Sequence, residues 1–166
     1  MKTTGHGLIM FEFLLIGNAK SGKTPLFNGG RSSILYFATI KTECVAKSFT
    51  VVEGNTRNRV TGIICDSPGI SHLENVAISA IENKKGIMII YDVTNRDDFQ
   101  NIDKWFERVK SYHSGPIPVI LVGNKIDLEK EREVSTIEGQ KKAYKYGVPY
   151  FEVSAINRLL VKTYSI

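Results

Sequence analysis

The residues best placed to do chemistry are Gly17-Asn18-Ala19-Lys20-Ser21-Gly22-Lys23-Thr24. Gly17 and Gly22 let the backbone bend so that its N–H groups converge on phosphate oxygens at the start of a helix. Lys23 brings a point charge suited to β- and γ-phosphates, and the Thr24 hydroxyl suits Mg²⁺. Asp66-Ser67-Pro68-Gly69 adds a carboxylate for the metal's water shell and a Gly69 N–H for a γ-phosphate. Asn124-Lys125-Ile126-Asp127 reads as a base site. Guanine presents an N1–H and an exocyclic amine, and one carboxylate, Asp127, accepts from both. The Asn124 amide suits the acceptor edge of the base, and the Lys125 stem covers a ring face. Adenine lacks that donor pair, so the motif argues against ATP. Ser154-Ala155 would offer a backbone N–H to the same base.

These groups need a scaffold that brings distant loops to one edge. Leu8–Ile16 is an apolar run that leads into the glycine-containing loop. Ile87–Tyr91 and Val119–Val122 are short continuous apolar runs typical of strands buried on both faces, and Val148–Val153 is a weaker example. Glu43–Val52 and Arg59–Cys65 flank the turn-rich Glu53-Gly54-Asn55-Thr56 and read as a hairpin. Phe99, Ile102, Phe106 and Val109 recur at helical spacing, as do Leu73, Val76, Ala77 and Ile81. Ser135 and Glu138 form a capping box, and Gly147 is placed to end that helix. Strands alternating with helices predict an α/β fold whose ligand sits beyond the carboxyl ends of parallel strands.

Composition sets the outer limits. The chain has 166 residues, 42% apolar and 23% charged, enough for one domain spanning 1–166 and its own core. No apolar run approaches the ~20 residues of a membrane span, and no signal peptide is recognisable. The 22 basic and 17 acidic residues give +5, scattered as a solvated surface and not as a nucleic-acid stripe. Cys44 and Cys65 fall on strands expected to pair, within reach of a redox link. A reducing, cytoplasmic compartment favours free thiols instead.

In order and spacing, these motifs resemble a Ras-superfamily small GTPase of the Rab family. The resemblance extends through Tyr91-Asp92-Val93-Thr94-Asn95, the helix with Trp105, and Glu133-Val134-Ser135 with Glu138-Gly139. It implies a P-loop NTPase fold: a six-stranded, mostly parallel sheet with one antiparallel strand and about five helices. It also implies GTP/GDP and Mg²⁺ as cofactors, and an exchange factor, an activating protein and effectors as partners. Asn18, Ala19, Lys20, Ser21, Gly22, Lys23, Thr24, Thr39, Gly69, Asn124, Lys125, Asp127, Ser154, Ala155 and Ile156 map to nucleotide contacts. Thr24, Thr39 and Asp66 map to the metal, with Thr39 joining only in the GTP state.

The departures from the family are specific. Ile70 stands where the family's water-orienting Gln stands, so no catalytic side chain is assigned. The chain is a few residues short between Thr24 and Thr39, and Ile156 replaces the Lys usual after Ser-Ala. The family's exposed aromatic effector triad maps to Cys44, Cys65 and Ala80 or Ile81. The last helix is expected to be short or truncated, with no lipid-anchor motif, so membrane association would come through partners or a further segment. Two readings follow: a slow GTPase switch in membrane traffic, or a catalytically inactive pseudo-GTPase serving as a binding module.

Overall fold

The computed structural model describes residues 9–28, 41–54, 56–68, 80–82, 84–157 and 159–163. Strand β1 (Ile9–Ile16) lies between β3 (Thr56–Asp66) and β4 (Gly86–Asp92), parallel to both. Strands β5 (Val119–Asn124) and β6 (Tyr150–Ser154) extend the parallel array from β4. On the other side β2 (Glu43–Glu53) forms the expected hairpin with β3, turning at Gly54 with φ +58°. The full order is β2-β3-β1-β4-β5-β6-β7, where β7 is Leu159–Thr163.

Period-two alternation on the central strands separates two apolar layers. Leu14, Ile16, Ile89, Tyr91 and Leu121 face one side and meet Ile102, Trp105 and Val109 of helix α2 (Arg96–Tyr112). Leu15, Ile90 and Val122 face the other side, beside Leu26 and Phe27 of the short helix α1 (Lys23–Phe27). Helix α2 starts where the Asn95 side chain accepts from the Asp98 N–H at 2.9 Å. Helix α3 (Thr136–Tyr146) begins on the expected Ser135–Glu138 capping box and ends at Gly147, φ +64°. The start of α2 and both ends of α3 therefore fall where the local sequence prescribes.

The expected five parallel strands and antiparallel β2 are all present. The structure corrects the C-terminal expectation: β7 is a seventh strand, antiparallel to β6, where a short helix was expected. An edge strand left bare would expose a row of unpaired N–H and C=O groups, and β7 covers that of β6. The described residues hold three α-helices and the single 3₁₀ turn Glu129–Glu131. Residues 69–79, which carry most of the expected Leu73–Ile81 helix, lie outside them. The free-thiol expectation is also corrected, because Cys44 and Cys65 face each other across β2 and β3 and form a disulfide. Cys65 and Ile81 are fully buried and so do not present a surface; among these described positions only Cys44 is exposed. No helix among the described residues is long and apolar enough to cross a membrane.

Candidate functional site

The parallel strands β1, β3, β4, β5 and β6 end at Ile16, Asp66, Asp92, Asn124 and Ser154, all at one edge of the sheet. The chemistry-bearing loops leave from these ends. After β1 the chain turns through Gly17 (φ +144°), Lys20 (φ +66°) and Gly22 (φ +90°) before α1. A Cβ on Gly17 would sit 2.1 Å from the Ile90 carbonyl oxygen, and one on Gly22 would sit 2.0 Å from Asn124 Nδ2. Both positions thus require glycine for space as well as for conformation.

Lys23 is 5% exposed, and its ammonium donates back to the Gly17 carbonyl at 2.9 Å and the Asn18 carbonyl at 2.8 Å. Burial lowers its pKa from 10.5 to about 8, against the opposing pull of Asp66 and Asp98. The loop therefore holds a desolvated cation at its centre, an arrangement suited to a phosphate. The Thr24 hydroxyl donates to Asp66 Oδ2 at 2.6 Å. Two hard oxygen ligands converge there, from a helix start and a strand end, as Mg²⁺ requires. The buried Ser21 Oγ has no hydrogen-bond partner among the described residues.

Asn124 is 1% exposed, and its amide is directed inward. Its Nδ2 donates to the Ser21 carbonyl at 3.0 Å, and its Oδ1 accepts from the Ala155 N–H at 3.3 Å. These two bonds use one donor and one acceptor site of the amide and leave its second N–H and second lone pair for a base edge. The Asn124 amide ties the phosphate loop to the β6 loop, and the Ala155 N–H is used in that tie. Lys125 (φ +68°) directs its ammonium at Asp92 Oδ2, which fixes the stem beside Gly22. Asp127 is half-buried and makes no hydrogen bond to another described residue, so its carboxylate is open to a ligand. Ser154 is buried and accepts from the Asn157 N–H at 3.0 Å, while Ile156 is 60% exposed at the rim. Ala19 and Lys20 are exposed on the phosphate loop. Thr39, Gly69 and Ile70 lie outside the described residues.

Three supporting groups had no role in the sequence reading. Trp105 Nε1 of α2 donates to Asn18 Oδ1 at 3.0 Å, gripping the phosphate loop from below. Asp98 also bonds the Asn18 side chain, and its own burial raises its pKa. Asp92 positions Lys125 and accepts from Thr94 N–H at 2.9 Å. Trp105 and Asp92 stood in stretches quoted for their resemblance, but a partner 87 residues away leaves no local signal. Behind the base loop, Tyr91 and Tyr150 share a hydrogen bond of 2.7 Å, and Tyr150 donates to Glu152, which Arg132 holds at 3.0 Å. Burial drives both tyrosine pKa values upward, so both remain neutral.

Comparison with known proteins gives a consistent result. Residues 12–164 match the Ras family model. Ras-related protein Rab-4 of Dictyostelium discoideum is 32% identical over 160 residues, covering 92% of this chain and 74% of its own. Ras-related protein Rab-3C of Bos taurus is 33% identical over 156 residues, covering 92% and 67%. GTP-binding protein Rab-3D of Rattus norvegicus is 34% identical over 156 residues, covering 92% and 69%.

Proposed function

Because the chain belongs to the Ras family and is a Rab-like small GTPase, we propose that it is a slow GTP/GDP switch acting in membrane traffic. The family binds GTP and GDP with Mg²⁺ and hydrolyses GTP. The observation that carries the site assignment is the Asn124 tie, which joins the phosphate loop and the base loops into one receptor. Lys23 then meets the β- and γ-phosphates, and its ammonium exchanges loop carbonyls for phosphate oxygens. Asp127 accepts from guanine's two donors, and the Lys125 stem, fixed by Asp92, covers a ring face. Thr24 and Asp66 would hold Mg²⁺, with Thr39 joining them in the GTP state as the family resemblance implies, and the ion would neutralise charge on the phosphate oxygens. The N–H groups of the phosphate loop would meet the charge that develops on the phosphates, and the family resemblance assigns the Gly69 N–H to the same task.

Ile70 sets the rate. It has no donor or acceptor to orient the attacking water, so turnover should not exceed the roughly 10⁻⁴ per second of unassisted small GTPases. The same residue favours the second reading, a pseudo-GTPase that binds nucleotide and proteins without hydrolysis. Calorimetric titration with GDP, GTP and ATP, followed by single-turnover hydrolysis for wild type and Ile70→Gln, separates the two. The expected result is binding of GDP and GTP but not ATP, with slow wild-type hydrolysis that Ile70→Gln raises. Equal competition by ATP overturns the guanine assignment. No hydrolysis by either protein favours the binding module.

A further inference from the structure

The Cys44–Cys65 bond has chemistry of its own. The two residues are directly opposed in the β2–β3 ladder, with Cα atoms 4.1 Å apart. Cys44 is an exposed residue and Cys65 is fully buried, so a nucleophile from solvent approaches the bond from the Cys44 side. Behind the buried sulfur stands a cation: Lys84 Nζ donates to Cys65 Sγ at 3.5 Å and is itself held by Glu12 at 2.7 Å. A thiolate expelled from Cys65 would therefore appear next to a positioned ammonium in a desolvated site. A stabilised leaving thiolate speeds thiol–disulfide exchange at the other sulfur.

We propose that Cys44 is a mixed-disulfide site for thiol reductants, and that its exchange controls how tightly the metal end of the nucleotide site is held. In the first step an external thiolate bonds to Cys44 Sγ. The Cys44–Cys65 bond breaks, and its electron pair leaves on Cys65 Sγ beside Lys84. A second thiol, once deprotonated, attacks the external sulfur of the mixed disulfide and releases Cys44 as a thiolate. Two thiols are oxidised to one disulfide, the protein disulfide is reduced, and the two protons end on Cys44 and Cys65.

Coupling to the site follows from chain continuity. Cys65 immediately precedes Asp66, which accepts from Thr24 at 2.6 Å, and Asp66 pairs with Glu43 in the same ladder. The covalent link thus pins the first residues of β2 to the strand end that carries the metal carboxylate. Once it is cut, the corner loses its covalent link, and the ladder hydrogen bonds between Glu43 and Asp66 are left to carry the register there. This coupling rests on the nucleotide reading above; the exchange chemistry does not.

The test uses the full chain purified without reductant. Alkylation with N-ethylmaleimide in denaturant and intact mass analysis should add no label before reduction and a label on each of the two cysteines after it. A brief acid-quenched pulse of reduced glutathione should leave the glutathionyl adduct on Cys44 and the free thiol on Cys65. Lys84→Met should slow the exchange by about tenfold through loss of the leaving-group cation, with Lys85→Met unchanged. Release of a fluorescent GDP analogue should quicken severalfold on reduction, and Cys44→Ser should show the faster rate with or without thiol. Labels before reduction, an adduct on Cys65, or normal exchange in Lys84→Met would each overturn the site. Equal GDP release from oxidised and reduced protein would overturn the coupling. The mass measurements need no nucleotide, so failure to bind GDP would sink the proposed function and leave the exchange site standing.

Discussion

Lys23 is the residue at which stability and function are most directly opposed. Its ammonium is buried, and its pKa falls to about 8 from the 10.5 it has when solvated. Between those values the unfolded chain binds more protons than the folded one, so the nucleotide-free protein should gain stability as pH rises from 8 to 10.5. Below pH 8 that gain is absent, and the buried charge costs on the order of 3 kcal/mol at most. Nucleotide requires the charged form, so affinity should be flat below pH 8 and fall as pH rises beyond it. Lys23→Met should therefore raise the thermal midpoint of the nucleotide-free chain at pH 7 while removing most GDP binding. A midpoint that drops in Lys23→Met would mean that the ammonium stabilises the loop, and the opposition argued here would be wrong.

At the scale of elements, α3 and β6 meet through Gly139, and two effects compete there. Alanine improves on glycine by ~1 kcal/mol within a helix. A Cβ at Gly139, however, would sit 2.2 Å from the Tyr150 hydroxyl and 2.3 Å from its ring carbon. Those atoms belong to a packed tyrosine pair that cannot yield, and overpacking of this kind costs about 1–3 kcal/mol. Gly139→Ala should thus lower the urea midpoint with an unchanged slope, against the helix-propensity trend. A raised midpoint would show that the pair moves freely. The same comparison separates what the sequence disclosed from what it did not. Capping residues, buried strand runs and the phosphate-loop spacing act within a few residues, so α2, α3 and the central strands were legible. Leu159–Thr163 was not, because a short apolar run becomes a strand only when an edge such as β6 is there to pair with it. The structural tie made by the Asn124 amide was not legible for a related reason. The residue type suits a base edge, but the direction of the amide is set by Ser21 and Ala155, which are distant in sequence. The disulfide needed the register of β2 on β3 as well as the presence of two cysteines.

For the whole molecule, the consequence of five parallel strands ending at one edge is that a ligand there touches loops from across the sheet. Lys23 belongs to the β1 loop, Asp66 to the end of β3, Lys125 and Asp127 to the β5 loop, and Asp92 at the end of β4 supports them. Asn124 already links two of these loops to a third through the Ala155 N–H. Binding should therefore stabilise the fold globally and not just order one turn. Ligand that binds only the folded state adds about 4 kcal/mol at a thousand times its dissociation constant. Unfolding entropy near ~2 cal/mol/K per residue converts that into a midpoint rise of roughly 10 °C for a chain of this size. GDP with Mg²⁺ should give that shift in a thermal melt, and a chelator should remove part of it by emptying the Thr24–Asp66 corner. ATP at the same concentration should leave the midpoint unmoved, since its base offers Asp127 no donor pair. An equal shift with ATP would mean that the phosphates alone are recognised, and that the loop after β5 supports the fold without reading the base.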